Sequence, residues 1–223
     1  MDKARLNMYG MLLKLPLFQG LGYSDLSEIV GHTRFHFLHY PEGTHIVDAG
    51  SPGTDLVFLT KGLVKAISYS QGNSFSVEEE VAAPALFQPD ILYGLTPQYT
   101  QTFITVTACD LLMISKAEFS KLISSYEIFR TNYLNIISTR NQRLSRLVWC
   151  PTPHGIRERI TRFLKDHCQW PSGKKIFHIK MQQIADATGE SRLNISRELH
   201  AMDDEQLLNV SRGQIIIPAI ESL

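Results

Sequence analysis

The sequence predicts an α+β chain in two parts: an N-terminal β-roll with flanking helices and a long outgoing helix, then a C-terminal winged helix-turn-helix. Three observations carry this. Between Thr33 and Ser115 the texture is β-branched and aromatic, cut by Gly and Pro. After Lys116 apolar residues recur every three or four positions, over a stretch longer than a typical globular helix. Beyond Pro151-Thr152-Pro153 the pattern runs helix, strand, helix, turn, helix, hairpin.

The elements follow in order. Leu12, Leu13 and Leu17, then Leu21, Leu26, Ile29 and Val30, sit at mostly helical spacings, with Ser24 ahead of Asp25 and Glu28 as a helix start, so two short helices open the chain. Strands are predicted at Thr44–Val47, Leu56–Leu59, Leu63–Ile67, Phe75–Val77, Thr102–Val106 and Leu111–Ile114. The long helix spans about residues 117–149, with a stripe of Phe129, Tyr133, Ile136, Arg140, Leu144 and Leu147. Such a stripe suits pairing with a second copy of the helix; its alternative is packing on the strands of its own domain. Prolines 151 and 153 end it, since each lacks an amide donor and disfavours helix in the residue before. The expected domains are therefore 1–150 and 151–223.

Composition narrows the function. The 223 residues carry 22 Lys+Arg against 22 Asp+Glu, so any polyanion site must be a local patch. Cys109, Cys150 and Cys168 are few, dispersed and odd in number, which argues against a disulfide framework or structural zinc and predicts a cytoplasmic protein. There is no apolar run of about 18 residues and no export signal, so no membrane partner is expected.

The richest segment is 181–199. Ile184 and Ala185 face inward on its first helix, Gly189 supplies freedom at the turn, and Ile195 and Leu199 pin the second helix to the core. Ser191, Arg192, Asn194, Ser196 and Arg197 remain outward, all able to donate to base edges or phosphates, while Leu193 offers apolar contact alone. Nearby, Arg140, Arg143, Arg146, Arg157, Arg159, Arg162 and Lys165 stand against Glu158, a candidate phosphate-facing patch.

Over essentially its full length the chain resembles the CRP/FNR family of transcription regulators. The resemblance rests on Pro41-Glu42-Gly43, Ala49-Gly50, Val57-Phe58-Leu59 and Gly62-x-Val64 in the first half. In the second half it rests on Ile179-Lys180, Ile184-Ala185, Gly189, Ser191-Arg192 and Ser196-Arg197. It implies a jelly-roll-like cyclic-nucleotide-binding fold, a dimerisation helix, and a second helix-turn-helix helix that enters the major groove of double-stranded DNA at an inverted repeat. RNA polymerase is a further partner implied by the family. Cyclic-nucleotide-binding relatives carry Gly-Glu and Arg-Ser or Arg-Thr pairs; here Gln88-Pro89 and Tyr99-Thr100 fall at those positions, a possible pocket for a different effector. Without the cation a phosphate loses a charge-assisted contact, so cyclic AMP is not expected. No clustered cysteines point to an iron–sulfur sensor, while eight histidines leave haem open. His32, His36, His39 and His45 are grouped, yet such a group is more often ordinary surface or core histidine than a metal site. Two rivals remain. A cupin-like metal enzyme would want paired histidines, but Gly43-Thr44-His45 is followed by Val47 where a second is needed. A helix-turn-helix turned protein-binding surface would show no DNA affinity.

Overall fold

The computed structural model describes residues 3–149 and 153–223. They fall into two compact units, one of Met1–Val64, Val81–Tyr99 and Phe103–Arg146, the other of Lys65–Glu80, Thr100–Thr102 and Leu147–Leu223. The junction expected at residues 150–152 lies outside the described residues.

The first unit opens with α1 (Lys3–Leu12) and α2 (Tyr23–His32). Its four-stranded antiparallel sheet has the order β1 (Phe35–Tyr40), β8 (Cys109–Ser115), β3 (Asp55–Lys61), β6 (Ala85–Phe87), and β2 (His45–Val47) pairs with β7 (Gln101–Thr105). Strands β1 and β6 were not among the runs singled out from sequence. Gly62, φ +98°, turns the chain out of β3; a Cβ there would lie 2.6 Å from the Ala108 carbonyl oxygen and from Cys109 Sγ, so only glycine fits. Ser115 ends β8 and caps α3 (Lys116–Ser125), its hydroxyl accepting from the Glu118 amide. The core is aromatic: Phe18 and Phe119 both meet Phe129 edge-on, with centroids 5.1 and 5.8 Å away. Phe129 belongs to α4 (Glu127–Trp149); the single helix expected over about residues 117–149 is thus divided into α3 and α4 at Tyr126, whose backbone is extended, φ -118° and ψ 108°.

The second unit is the winged helix-turn-helix, α5 (Ile156–Asp166), β9 (Lys175–His178), α6 (Met181–Thr188), α7 (Arg192–Asp204), β10 (Asn209–Ser211) and β11 (Gln214–Ile217). To it is added the hairpin of β4 (Leu63–Tyr69) and β5 (Ser76–Ala82), because β5 pairs antiparallel with β9, Ser76 opposite His178 and Glu79 opposite Lys175. The sheet of this unit thus runs β10-β11-β9-β5-β4. Along β5 burial alternates, so Val77 and Glu79 face inward. Val77 joins the core of Ile160, Leu164, Phe177, Ile184, Ile195, Leu199 and Ile217. Glu79 meets Lys175 at 3.0 Å, both fully buried, and its carboxylate also accepts from the Gln169 and Trp170 amides. Outside this pair, Glu80 reaches Lys174 at 2.8 Å and Glu78 reaches His178 at 3.0 Å.

Candidate nucleic-acid interface

The helix-turn-helix is built from short-range rules. Gly189 closes α6 in the left-handed region, φ +70°, and its amide returns to the Ala185 carbonyl. Ser191 then caps α7, its hydroxyl accepting from the Asn194 amide at 3.2 Å. Ile195, Leu199 and Met202 anchor the buried face of α7. Ser191, Arg192, Leu193 and Arg197 are exposed, and Asn194 and Ser196 half-buried. Leu193 stands 59% exposed, an apolar side chain left largely uncovered by the described residues. Neither Arg192 nor Arg197 is held in an ion pair among the described residues.

Beside the start of α7 lies a groove of about 560 Å³, lined among others by Lys180, Gln182, Arg192, Ser211 and Arg212. The hairpin that the sequence predicts at the end of the chain turns at Arg212-Gly213, to which the sequence pattern gives no role. The cation at the tip of that hairpin, and Lys180 just before α6, are the residues it missed; a basic residue within the turn was the available signal.

The candidate phosphate patch must be corrected. Arg157 donates to Glu198 through Nε at 2.6 Å and to Glu205 through both terminal nitrogens, at 2.8 and 2.7 Å. Hydrogen bonds from Arg157 hold the Glu205 carboxyl below the usual carboxylate range. Arg159 donates to Glu190 at 2.6 Å. Both guanidinium groups therefore brace α5 against the helix-turn-helix rather than standing free, because acidic residues invisible in the local count reach them from later in the chain. Arg140 is likewise paired, with Asp90.

The stripe on α4 also divides. Phe129 is fully buried, Tyr133 nearly so, and Ile136 packs on the same core, so these three serve the first unit and not a partner. The own-domain alternative holds for them because Phe18, in the turns between α1 and α2, and Phe119 on α3 supply the aromatic partners. Leu144 is exposed, and the side chain of Leu147 lies outside the described residues. The exposed apolar residues fall on a shifted seam: Leu134, 54% exposed, half-buried Ile137, Asn141, then Leu144, 57% exposed, at alternating spacings of three and four.

Of the four residues proposed for an effector pocket, Tyr99 alone lines a cavity of about 270 Å³ in the first unit, with Asp48, Asp55 and others. Pro89 is buried at the start of a 3₁₀ turn, and its carbonyl accepts from the Tyr133 hydroxyl at 3.3 Å. Gln88, next to it, is buried, and Thr100 is exposed and belongs to the second unit. Phe87, adjoining Gln88, stacks face to face on Phe103 with centroids 4.1 Å apart, so this part of the roll is filled by rings. The four histidines stay apart in chemistry. His39 pairs with Asp110 at 2.7 Å, His45 with Asp48 at 2.9 Å, and His32 with the Glu28 carbonyl. Among the described residues no three His, Cys, Asp or Glu side chains gather as a metal site, and no helix is long and apolar enough to cross a membrane.

Comparison with known proteins agrees with this architecture. Residues 37–126 match the family model of a cyclic nucleotide-binding domain, and residues 158–223 that of a Crp-like helix-turn-helix domain. The cAMP-activated global transcriptional regulator CRP of Haemophilus influenzae is 22% identical over 191 residues, covering 83% of this chain and 85% of that protein. The cyclic AMP receptor protein of Thermus thermophilus is 22% identical over 205 residues, covering 90% and 91%. The solved structure of the Thermus thermophilus catabolite activator protein shares the fold at TM-score 0.51, with 21% identity over 93% of this chain and 95% of that one. With a nucleotide-binding-type roll and a Crp-like helix-turn-helix matched in order on either side of the long helix, and with a family whose members regulate transcription rather than catalyse reactions, the chain belongs to the CRP/FNR family of transcription regulators.

Proposed function

We propose that two copies of this chain, joined through α4, read an inverted repeat in double-stranded DNA without answering to cyclic AMP. The observation that carries the reading is the outward edge of α7. Arg192 and Arg197 are exposed and in no ion pair among the described residues, Ser191 is fixed as the cap, and Ile195 and Leu199 hold the helix from behind. An α-helix fits the major groove, where each arginine makes bidentate contact with guanine, and Leu193 meets a thymine methyl. Asn194 and Ser196 supply shorter donors beside them, and Arg212 and Lys180 face the flanking phosphates.

The seam of Leu134, Ile137, Asn141 and Leu144 supports the dimer. Pairing it covers apolar surface, and a single Asn among apolar seam positions favours one register. Half-sites are then about 34 Å apart, one turn of DNA. Cyclic AMP is set aside because Pro89 and Tyr99 stand where the family's acidic and basic residues belong, and Pro89 is turned into the core. Titration calorimetry with cyclic AMP is flat on this reading.

Selection of binding sites from random DNA tests the proposal, run with the parent chain, Arg192→Ala, Arg197→Ala and Leu193→Glu. A palindromic motif is expected, with each arginine substitution relaxing one base preference by about 1–3 kcal/mol. A motif without symmetry, or arginine variants that keep every preference, overturns the assignment of α7 to the groove.

A further inference from the structure

The cavity in the first unit sits between the ends of β2, β3 and β8 and the chain before β7, and its lining is chemically one-sided. Asp48 and Asp55 supply two carboxylates, and no Lys, Arg or His lines it. Asp55 accepts from the Thr54 hydroxyl at 2.7 Å, and Asp48 is shared with His45, which lies outside the lining. Ile46, Val47, Val57 and Met113 form the apolar wall.

Tyr99 gives an independent sign that something polar is meant to enter. It is only 5% exposed, and its hydroxyl has no hydrogen-bond partner among the described residues. No fully buried side-chain oxygen or nitrogen among them lacks a partner, so the hydroxyl keeps its small accessible surface toward the cavity. Burial first, and Asp55 second, push this phenol up to about 12, so at neutral pH it remains a hydroxyl with a proton to donate and two lone pairs to offer.

We propose that this cavity is a binding site for a small organic cation, a primary amine with a short hydrocarbon body. The carboxylates of Asp48 and Asp55 take the ammonium, the Tyr99 hydroxyl orients it, and the aliphatic wall covers the carbons. A volume of about 270 Å³ lies just under the usual range of roughly 300–1,000 Å³ for small-molecule pockets, which limits the ligand to a few heavy atoms. An anion such as a cyclic phosphate meets two negative charges and no cation there. The site goes beyond DNA recognition and does not depend on it.

The test uses the full chain at neutral pH, with 1,4-diaminobutane as probe, 1,4-butanediol as its uncharged counterpart, and calorimetry together with the thermal midpoint as readouts. The diamine is expected to bind saturably with one site per chain and to raise the midpoint, and the diol to do neither. Asp55→Asn and Tyr99→Phe should each weaken the diamine, the first by about tenfold or more, as befits a lost charge-assisted hydrogen bond. Asp48→Asn, on the exposed rim, keeps the test decisive where Asp55→Asn fails to fold. No saturable binding, equal binding of the diol, or undiminished affinity in Asp48→Asn and Tyr99→Phe overturns the proposal. DNA binding of the same variants, measured separately, shows whether the helix-turn-helix stands regardless.

Discussion

The pair of Glu79 and Lys175 tests whether the hairpin truly completes the winged-helix sheet. Both side chains are fully buried, Nζ lies 3.0 Å from Oε1, Lys175 also donates to the Ser172 carbonyl at 2.8 Å, and Glu79 accepts from two backbone amides. Breaking a buried pair by removing one partner costs about 3–5 kcal/mol, since the survivor is left charged in an apolar setting. Lys175→Met leaves the carboxylate with the Gln169 and Trp170 amides, which places the loss near the lower end, about 3 kcal/mol. Glu79→Leu is worse: it strands the ammonium and leaves those two amides without an acceptor, at about 1–3 kcal/mol each, so a loss of about 5 kcal/mol or more is expected. In the double variant no charge remains buried, and part of the penalty returns as a coupling of about 1–3 kcal/mol. Urea unfolding followed by tryptophan fluorescence reads this well, because Trp170 sits beside the pair. Were β5 not seated on β9, both groups would be in water, and an exposed pair contributes only about 0–1 kcal/mol. A loss below about 1 kcal/mol for Lys175→Met therefore refutes the strand pairing.

Three further outcomes follow from named contacts. Arg212→Ala should weaken DNA binding about equally at all sequences and lower the salt slope by about one, since a wing-tip cation meets phosphate and not base edges; a change of base preference in site selection would contradict this. Leu134→Glu with Leu144→Glu places like charges on the α4 seam and should shift sedimentation to the mass of one chain, whereas Ser138→Glu, exposed off that seam, should not. Gly62→Ala forces a Cβ to 2.6 Å from a backbone oxygen at positive φ and should cost about 3 kcal/mol or more, read as a lowered thermal midpoint of the first unit; Gly43→Ala, also at positive φ but with open space around it, should cost only the backbone part, about 1 kcal/mol.

What could be read from sequence was local. The helix-turn-helix declared itself because Gly189, Ile195 and Leu199 act on near neighbours, and the strand runs did so through alternation and composition. What failed to show was partnership across distance. The Glu78-Glu79-Glu80 run looks like a solvated strand edge, yet period two sends only the middle residue inward, and nothing local says that a lysine about a hundred positions later awaits it. The same blindness affected α4. Its periodic stripe was real, but periodicity cannot tell a partner helix from a core, and the aromatic rings of Phe18 and Phe119 settled the matter for Phe129. The seam proposed for the dimer is weaker to the eye because it contains Asn141. In the roll, the family resemblance drew attention to Tyr99, which lines a cavity, while Asp48, just after β2, and Asp55, on β3, come from elsewhere in the chain and carry no motif.

The charge distribution explains how a chain with no net charge can still bind a polyanion. A count by segment treated every cation between residues 140 and 165 as available, but folding divides cations into two sets. Arg140, Arg157 and Arg159 are spent on Asp90, Glu198, Glu205 and Glu190, where they fix the angle at which helices meet. Lys174 and Lys175 are spent on Glu80 and Glu79, where they hold the hairpin. Arg192 and Arg197 on α7, with Arg212 on the wing, keep an open face. Non-specific affinity grows with each phosphate neutralised, so pairing these five cations internally lowers that background, while those on the reading edge work by geometry. Discrimination between sites rises when the sequence-blind part of the binding energy is small. The acidic residues that cancel the net charge thus favour selective reading, by tying up the cations that would otherwise grip any DNA.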